Sequence, residues 1–203
     1  MPPTKPRNRV GFLRGGLPAD CNLTLAPSTV RASEGDSGPP VTGRRFRLVA
    51  YTGVRMRPLY WGDDVVVDLD GVEVAGSTYP LLLDHWPDVE NVLGQTDKVT
   101  VAGGIVTAEG EIVAVGEDAR GAVALADAGY KFQASIGLAV LSAEYVERNA
   151  SASVNGRDEA GPVVIVRKSR LKEISATVLG ADDATSFDLD GPAPAEPAAA
   201  ETV

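Results

Sequence analysis

The sequence predicts a mainly β protein with one flanking helix, arranged as a barrel or curved sheet. Three observations indicate this class: alternating or β-branched runs recur through the middle of the chain, Gly-containing turns separate them, and a single segment has helical character. The chain has 203 residues, 44% of them hydrophobic and 23% charged. This composition is typical of one globular core, which usually takes about 100 to 200 residues.

Three parts are expected along the chain. Residues 1–43 are rich in Pro, Gly, Ser and Arg without sustained periodicity, which predicts a flexible arm. Residues 44–190 are expected to form the folded domain. Residues 191–203, "GPAPAEPAAAETV", contain little that could be buried, and this predicts a disordered tail.

The first half of the domain is predicted to consist of strands joined by tight turns. Asp70-Gly71 separates two short β-branched runs, which is typical of a hairpin. Further turns are predicted at Gly103-Gly104 and Glu109-Gly110. The predicted strand regions are residues 45–53, 64–76 and 98–116.

The second half is predicted to hold the helix and two long strands. The helix begins with the acidic Glu117 and ends at Gly129, as the helix dipole and C-terminal geometry favour. The strands are expected at residues 130–146 and 162–181. Between them, the polar residues 147–161 are predicted to form an inserted loop.

Composition excludes several classes of function. The chain has one histidine, His85, and one cysteine, Cys21, so a cysteine-based metal cage is excluded and a zinc site is not expected. The formal net charge of −9 argues against nucleic acid as a partner. No apolar run approaches the ~18 residues of a membrane span, and the N-terminus lacks the apolar core of a secretory signal. We therefore expect a cytoplasmic protein with protein partners.

His85 ends the apolar run "YPLLLDHW". If this run is a strand, alternation places Leu81, Leu83 and His85 on one face and Asp84 on the other. The ring is then either a catalytic base or a strand-end histidine whose nitrogen is satisfied by the backbone. The residues around it leave both interpretations open.

Two later strands contain groups that could act with this histidine. In "KFQASIGLAV", Ser135 is followed two positions later by Gly137, an arrangement that leaves room for a substrate backbone. In "RLKEISATV", Glu173 could orient an imidazole, and alternation places Ser175 on the same face of the predicted strand. Each residue also has a plain structural interpretation, Ser135 as a sheet-edge serine and Glu173 as a solvated partner of Lys168, Arg170 or Lys172.

Taken in order, "LLLDHW", "SIG" and "LKEISATVLGADDATS" resemble the phage prohead proteases, capsid-maturation enzymes similar in fold to the herpesvirus assemblins. The resemblance covers residues 45–187 and includes "NVLGQTDKV" after the histidine. It implies an assemblin-like β-barrel of about seven strands. The polar insertion at residues 147–161 departs from the tightest form of the pattern.

The resemblance also implies the roles of individual residues. His85 would be the general base and Ser135 the nucleophile of a serine endopeptidase that needs no cofactor. Because the chain has no second histidine, the third member would be a carboxylate. Glu173 occupies the matching position, with Asp182 and Asp183 as competitors. An oxyanion donor is expected among the backbone amides of residues 177–184.

The setting implied by the resemblance is the assembling prohead in the host cytoplasm. The expected substrates are the phage scaffold and major capsid protein, together with the arm and tail of this chain, and a homodimer is consistent with the family. A second hypothesis is a catalytically inactive scaffolding protein that keeps the same barrel. A third is a β-rich binding module in which the serine and histidine are fortuitous.

Overall fold

A computed structural model describes residues 40–58 and 62–191 of the protein. Within these residues the chain forms eleven strands and one α-helix, so the predicted class, mainly β with a flanking helix, is confirmed. Most of the predicted arm and tail lies outside the described residues. The elements are β1 (Val41–Tyr51), β2 (Val65–Val67), β3 (Val72–Glu73), β4 (Pro80–Leu83), β5 (Val92–Ala102), β6 (Ile105–Ala114), α1 (Glu117–Asp127), β7 (Gln133–Val146), β8 (Ser151–Val154), β9 (Arg157–Ala160), β10 (Val163–Thr177) and β11 (Ser186–Leu189).

β10 organises the sheet because both of its edges are paired. β7 runs antiparallel along one edge for its whole length, while β2, β3 and β4 pair in succession, parallel, with the other edge. From β4 the sheet continues antiparallel through β5, β6 and β1 to β11. The amide of Phe187 in β11 donates to the carbonyl of Phe132, directly before β7, at 3.2 Å. The sheet therefore curls until its two outer strands meet.

The core fills the inside of this curled sheet. In β1, Phe46, Leu48 and Ala50 are buried and the residues between them are more exposed, which is the period of two expected of a half-buried strand. α1 packs its buried Ala119, Ala122 and Val123 into the same cluster. The predicted helix is thus confirmed.

The turn predicted at Gly103-Gly104 joins β5 to β6, but the one at Glu109-Gly110 was wrong, because both residues lie inside β6. Gly110 is required there by packing instead. A Cβ on it would lie 2.6 Å from the ring of Phe46 and 2.1 Å from the carbonyl oxygen of Gln95. A glycine within a β pattern can therefore mark close packing as well as a turn.

The predicted hairpin about Asp70-Gly71 was also wrong in its pairing. The two residues do form a turn, capped by the side chain of Asp68, which accepts from the amide of Asp70 at 3.3 Å. However, the strands on either side, β2 and β3, pair with β10 instead of with each other. The three residues of β2 are all buried, and the long edge of β10 provides the backbone partners that they need.

The segment predicted as a loop, residues 147–161, is a β-hairpin made of β8 and β9. Asn155 and Gly156 form its turn with φ of 50° and 72°, the left-handed conformation that Asn-Gly favours in two-residue hairpin turns. Val154 of the hairpin is buried in a small cluster with Val146 and Val163. The apolar runs in this segment are too short to predict a strand.

Candidate active site

His85 lies on a tight turn that directly follows β4. The strand ends at Leu83, and Asp84 and His85 have φ of 49° and 63°. The amide of Asp84 donates to the carbonyl of Ala176 in β10 at 2.9 Å, and the amide of Trp86 donates to Leu83 at 3.1 Å. The expectation that His85 continues the strand was therefore wrong. The turn, not strand alternation, determines where the ring lies.

Glu173, in β10, is the side chain that contacts the imidazole. Its Oε1 lies 2.6 Å from Nδ1 of His85. An ionised carboxylate can only accept, so Nδ1 carries a proton, and in the neutral ring Nε2 is the nitrogen without one. The Glu173 side chain is 15% exposed, whereas that of His85 is 41% exposed. The carboxylate is thus sheltered beneath a ring that remains accessible from solvent.

Ser175 makes the second contact to this carboxylate. Its hydroxyl donates to Oε2 of Glu173 at 2.7 Å and accepts from the backbone amide of His85 at 3.1 Å. Ser175 is fully buried. Glu173 and Ser175 are two positions apart on β10 and so project from the same face of the sheet.

Ser135 lies on β7 directly opposite Ser175 in the antiparallel ladder. Directly opposed residues project from the same face, with Cβ atoms about 4.5–5.5 Å apart. Ser135 is half-buried and lines, with His85 and Thr177, a largely apolar cleft of about 700 Å³. Among the described residues no hydrogen bond joins the side chains of Ser135 and His85. The structure therefore brings the two groups to one cleft.

The competing carboxylates are engaged elsewhere or lie apart from the ring. Asp182 is buried, and its Oδ2 accepts from the amide and hydroxyl of Thr52 at 2.7 and 2.8 Å. Asp84 accepts from the amide of Val178 at 2.9 Å. Asp183 is exposed and has no recorded hydrogen bond to His85. Within the described residues, Glu173 is the carboxylate that bonds to His85.

The surroundings of His85 raise the pKa of its imidazole. Partial burial acts to lower the pKa, but the hydrogen bond that the ring donates to Glu173, the charge of Glu173 and the charge of Asp84 together outweigh it. The net result lies above the ordinary value of 6.5. The charge of Glu173 therefore stabilises the protonated ring, which is the form that a general base takes after it has accepted a proton.

The sequence did not predict the actual roles of two residues of the site. Gly137 was expected to leave room for a substrate, but it lies opposite Glu173, and a Cβ on it would be 1.7 Å from Oε1 of that side chain. Ser175 was noted only as sharing the face of Glu173. The one signal available for Ser175 was its spacing of two from the carboxylate.

Among the described residues, no group of three or more His, Cys, Asp and Glu side chains is placed to hold a metal ion. Within the same residues, no helix has both the length and the hydropathy needed to cross a membrane.

Comparisons with known proteins give one similarity. No family model and no curated protein matches the chain. Among solved structures, the chain is similar to the crystal structure of KSHV protease in complex with a hexapeptide phosphonate inhibitor. The TM-score is 0.40 and the sequence identity 14%, over 73% of this chain and 66% of that chain. Identity and TM-score at this level do not show a family. The proposed function therefore rests on the contacts of four residues: His85, Glu173, Ser175 and Ser135.

Proposed function

We propose that the protein is a serine endopeptidase that processes scaffold and coat protein during phage capsid maturation. One observation carries the catalytic part of this proposal: the only histidine of the chain is hydrogen-bonded through Nδ1 to a sheltered carboxylate, and it shares a cleft with Ser135. Nucleophile, base and orienting acid are the groups that acyl transfer by a serine requires.

The mechanism follows from the ring orientation. Nε2 of His85 accepts the proton of the Ser135 hydroxyl as Oγ attacks the peptide carbonyl carbon. Glu173 holds the opposite nitrogen and stabilises the imidazolium that forms. The ring then gives its proton to the leaving amine, the C–N bond breaks, and an acyl-enzyme remains. Water, deprotonated by the same nitrogen, hydrolyses the ester and releases Ser135.

The amides of the segment after β10 provide candidates for the oxyanion donor. Val178 donates to Asp84, and Gly180 donates to the side chain of Gln133 at 2.7 Å. Both amides are thus occupied. Leu179 and Ala181 also line the cleft, and their amides have no recorded partner among the described residues. We assign the developing negative charge to one of these two amides.

The capsid setting is supported by the sequence resemblance. The proposed substrates are phage scaffold and major capsid protein, with trimming of this chain at its Pro- and Gly-rich ends, inside the prohead in the host cytoplasm. A homodimer is part of the same proposal. The largely apolar cleft beside Ser135 is open to solvent, as a site for a polypeptide segment would have to be.

The decisive experiment compares wild-type protein with Ser135→Ala on purified coat and scaffold proteins, with fragments identified by mass spectrometry. Ser142→Ala is the matched control, because Ser142 is a half-buried serine on the same strand. We expect Ser135→Ala to lower the cleavage rate by about 10³-fold or more and Ser142→Ala to leave it unchanged. Equal cleavage by wild type and Ser135→Ala overturns the mechanism.

A fluorophosphonate probe gives a second readout that does not depend on the native substrate. Such probes react with an activated serine hydroxyl, so we expect labelling of Ser135 in wild type and loss of labelling in His85→Ala. Absence of both labelling and cleavage in the wild type would overturn the proposal and leave the inactive scaffolding protein and the binding module as the remaining hypotheses.

A further inference from the structure

We propose that Ser175 is a positioning residue of the active site: its hydroxyl joins the carboxylate of Glu173 to the backbone of His85 and so keeps the imidazole in the Nδ1–H form. The consequence for catalysis rests on the proposed function. The positioning itself concerns three residues of this chain and can be measured without a substrate.

The two contacts of the Ser175 hydroxyl determine where its proton points. The oxygen accepts from the amide of His85 at 3.1 Å and lies 2.7 Å from Oε2 of Glu173. A hydroxyl has one proton to donate, and an amide cannot accept it. The proton is therefore directed at the carboxylate. Ser175 is fully buried, so bulk solvent does not compete for either contact.

Ser175 and His85 hold the two oxygens of Glu173 separately. Oε1 lies against Nδ1 of the ring and Oε2 against the serine hydroxyl. With both oxygens engaged, rotation of the carboxylate about its terminal bond would break two charge-assisted hydrogen bonds at once. An oriented carboxylate keeps the proton on Nδ1, and Nε2 is then the nitrogen that remains free to act as a base.

The same hydroxyl also supports the turn that carries the ring. His85 has φ of 63°, a left-handed conformation that is unfavourable for a residue other than glycine. Its amide points into the buried side of the turn, where the Ser175 oxygen satisfies it. Ser175 thus holds both the carboxylate that the ring contacts and the backbone from which the ring projects.

Ser169 offers a matched control on the same strand. It is as fully buried as Ser175, and its hydroxyl has no hydrogen-bond partner among the described residues. Ser169→Ala and Ser175→Ala therefore remove the same atom from the same depth of β10. They differ in whether that atom joins Glu173 to His85.

The experiment is ¹⁵N NMR of the imidazole, which gives a single pair of ring-nitrogen signals because the chain contains one histidine. At a pH above the pKa of His85, where the ring is neutral, we expect the Nδ1–H form in wild type and in Ser169→Ala. In Ser175→Ala we expect a mixture in which the Nε2–H form is substantial. A purely structural role would not change this ratio in a folded variant. The proposal is overturned if Ser175→Ala keeps the Nδ1–H form to the same extent as Ser169→Ala.

Kinetics and a second variant complete the test. For cleavage we expect kcat of Ser175→Ala to fall about 10-fold or more with KM little changed, less than the ~10⁴-fold that a wrong tautomer costs a serine protease. Ser175→Thr restores the hydroxyl and should restore both the tautomer and kcat. If Ser175→Ala does not fold, Ser175→Cys, a weaker donor of similar size, should give an intermediate tautomer ratio. A wild-type ratio in that variant would equally overturn the proposal.

The two proposals fail in different ways. If wild type cleaves through Ser135 while Ser175→Ala leaves the tautomer unchanged, the positioning role is wrong and the proposed function stands. If Ser175→Ala shifts the tautomer while no preparation cleaves or takes up the probe, the positioning role stands and the proposed function is wrong.

Discussion

The carboxylate of Glu173 occupies the space that a side chain on Gly137 would fill. The two residues are partners across the β7–β10 ladder, and an ideal Cβ on Gly137 would lie 1.7 Å from Oε1 and 2.5 Å from Cδ of Glu173. Real non-bonded atoms do not approach so closely. The absence of a side chain at Gly137 is thus a condition for the contact between Glu173 and His85.

Gly137→Ala should displace the carboxylate from the ring. We expect the pKa of His85 to fall toward or below its ordinary value of 6.5, because the groups that raise it would move away while its partial burial remains. Cleavage should fall for the same reason. A histidine NMR titration measures the first effect, and the rate on a coat-protein substrate measures the second.

Gly121→Ala is the control for this substitution. Gly121 lies in α1, and a Cβ there meets no atom within 4 Å. Replacing it should stabilise the helix by about 0.5–1 kcal/mol and leave the pKa of His85 unchanged. An unchanged pKa of His85 in a folded Gly137→Ala variant would contradict this prediction, because it would show that the carboxylate still contacts the ring.

The limits of the sequence analysis at the site have a physical cause. His85 and Ser135 could be selected because one is unique and the other lies in a short motif, and alternation within β10 placed Glu173 and Ser175 on one face. The role of Gly137 depends on the register between β7 and β10. Register is set by the packing of the whole sheet, so a local pattern cannot supply it.

In the fold, too, features that depend on neighbouring residues were predicted, and pairings between distant segments were not. The turn at Gly103-Gly104 and helix α1 depend on neighbouring residues, and both were predicted. The pairing of β2 and β3 with β10 joins segments about a hundred positions apart, such as Val65 with Val164. The Asp70-Gly71 turn was consistent with either pairing, because a turn does not by itself require its flanking strands to pair.

Glu173→Gln should change the pH dependence of catalysis. The neutral ring is the base, so cleavage should rise with pH through the pKa of His85, which lies above 6.5 in the wild type. Without the charge of Glu173 the pKa of His85 should fall, so the rise in cleavage rate should occur at lower pH, and the maximal rate should fall. The pH profile of kcat/KM reports the pKa in the free enzyme. A rise at the same pH as in the wild type would show that the carboxylate does not act on the ring.

The raised pKa of His85 also predicts how the stability of the fold depends on pH. Because the pKa of His85 is higher in the folded state than in the unfolded state, its contribution is fully present below the unfolded value of 6.5. It is lost as the pH rises through the folded pKa. The difference in unfolding free energy between wild type and Glu173→Gln should therefore shrink as the pH increases across this range. Urea denaturation at a series of pH values measures it.

Asn155 tests the attachment of the β8–β9 hairpin to the main sheet. Its Oδ1 accepts from the amide of Leu69 at 2.9 Å, and its Nδ2 donates to the carbonyls of Gly53 and Val67 at 3.0 and 2.8 Å. Asn155→Ala removes all three hydrogen bonds and leaves the amide of Leu69 without its partner. At about 1 kcal/mol for each hydrogen bond, we expect a loss of about 3 kcal/mol in unfolding free energy.

Two further variants separate the contributions at this position. Asn155→Gly keeps the left-handed turn, φ 50°, without strain but lacks the same side-chain contacts, so it should recover only the part of the loss that comes from backbone conformation. Ser151→Ala changes an exposed residue of β8 and should be neutral. If Asn155→Ala unfolds at the same urea concentration as Ser151→Ala, the hairpin is not held by this side chain. The buried contact of Val154 with Val146 and Val163 and the hydrogen bonds of Arg55, Arg157 and Arg167 must then hold the hairpin.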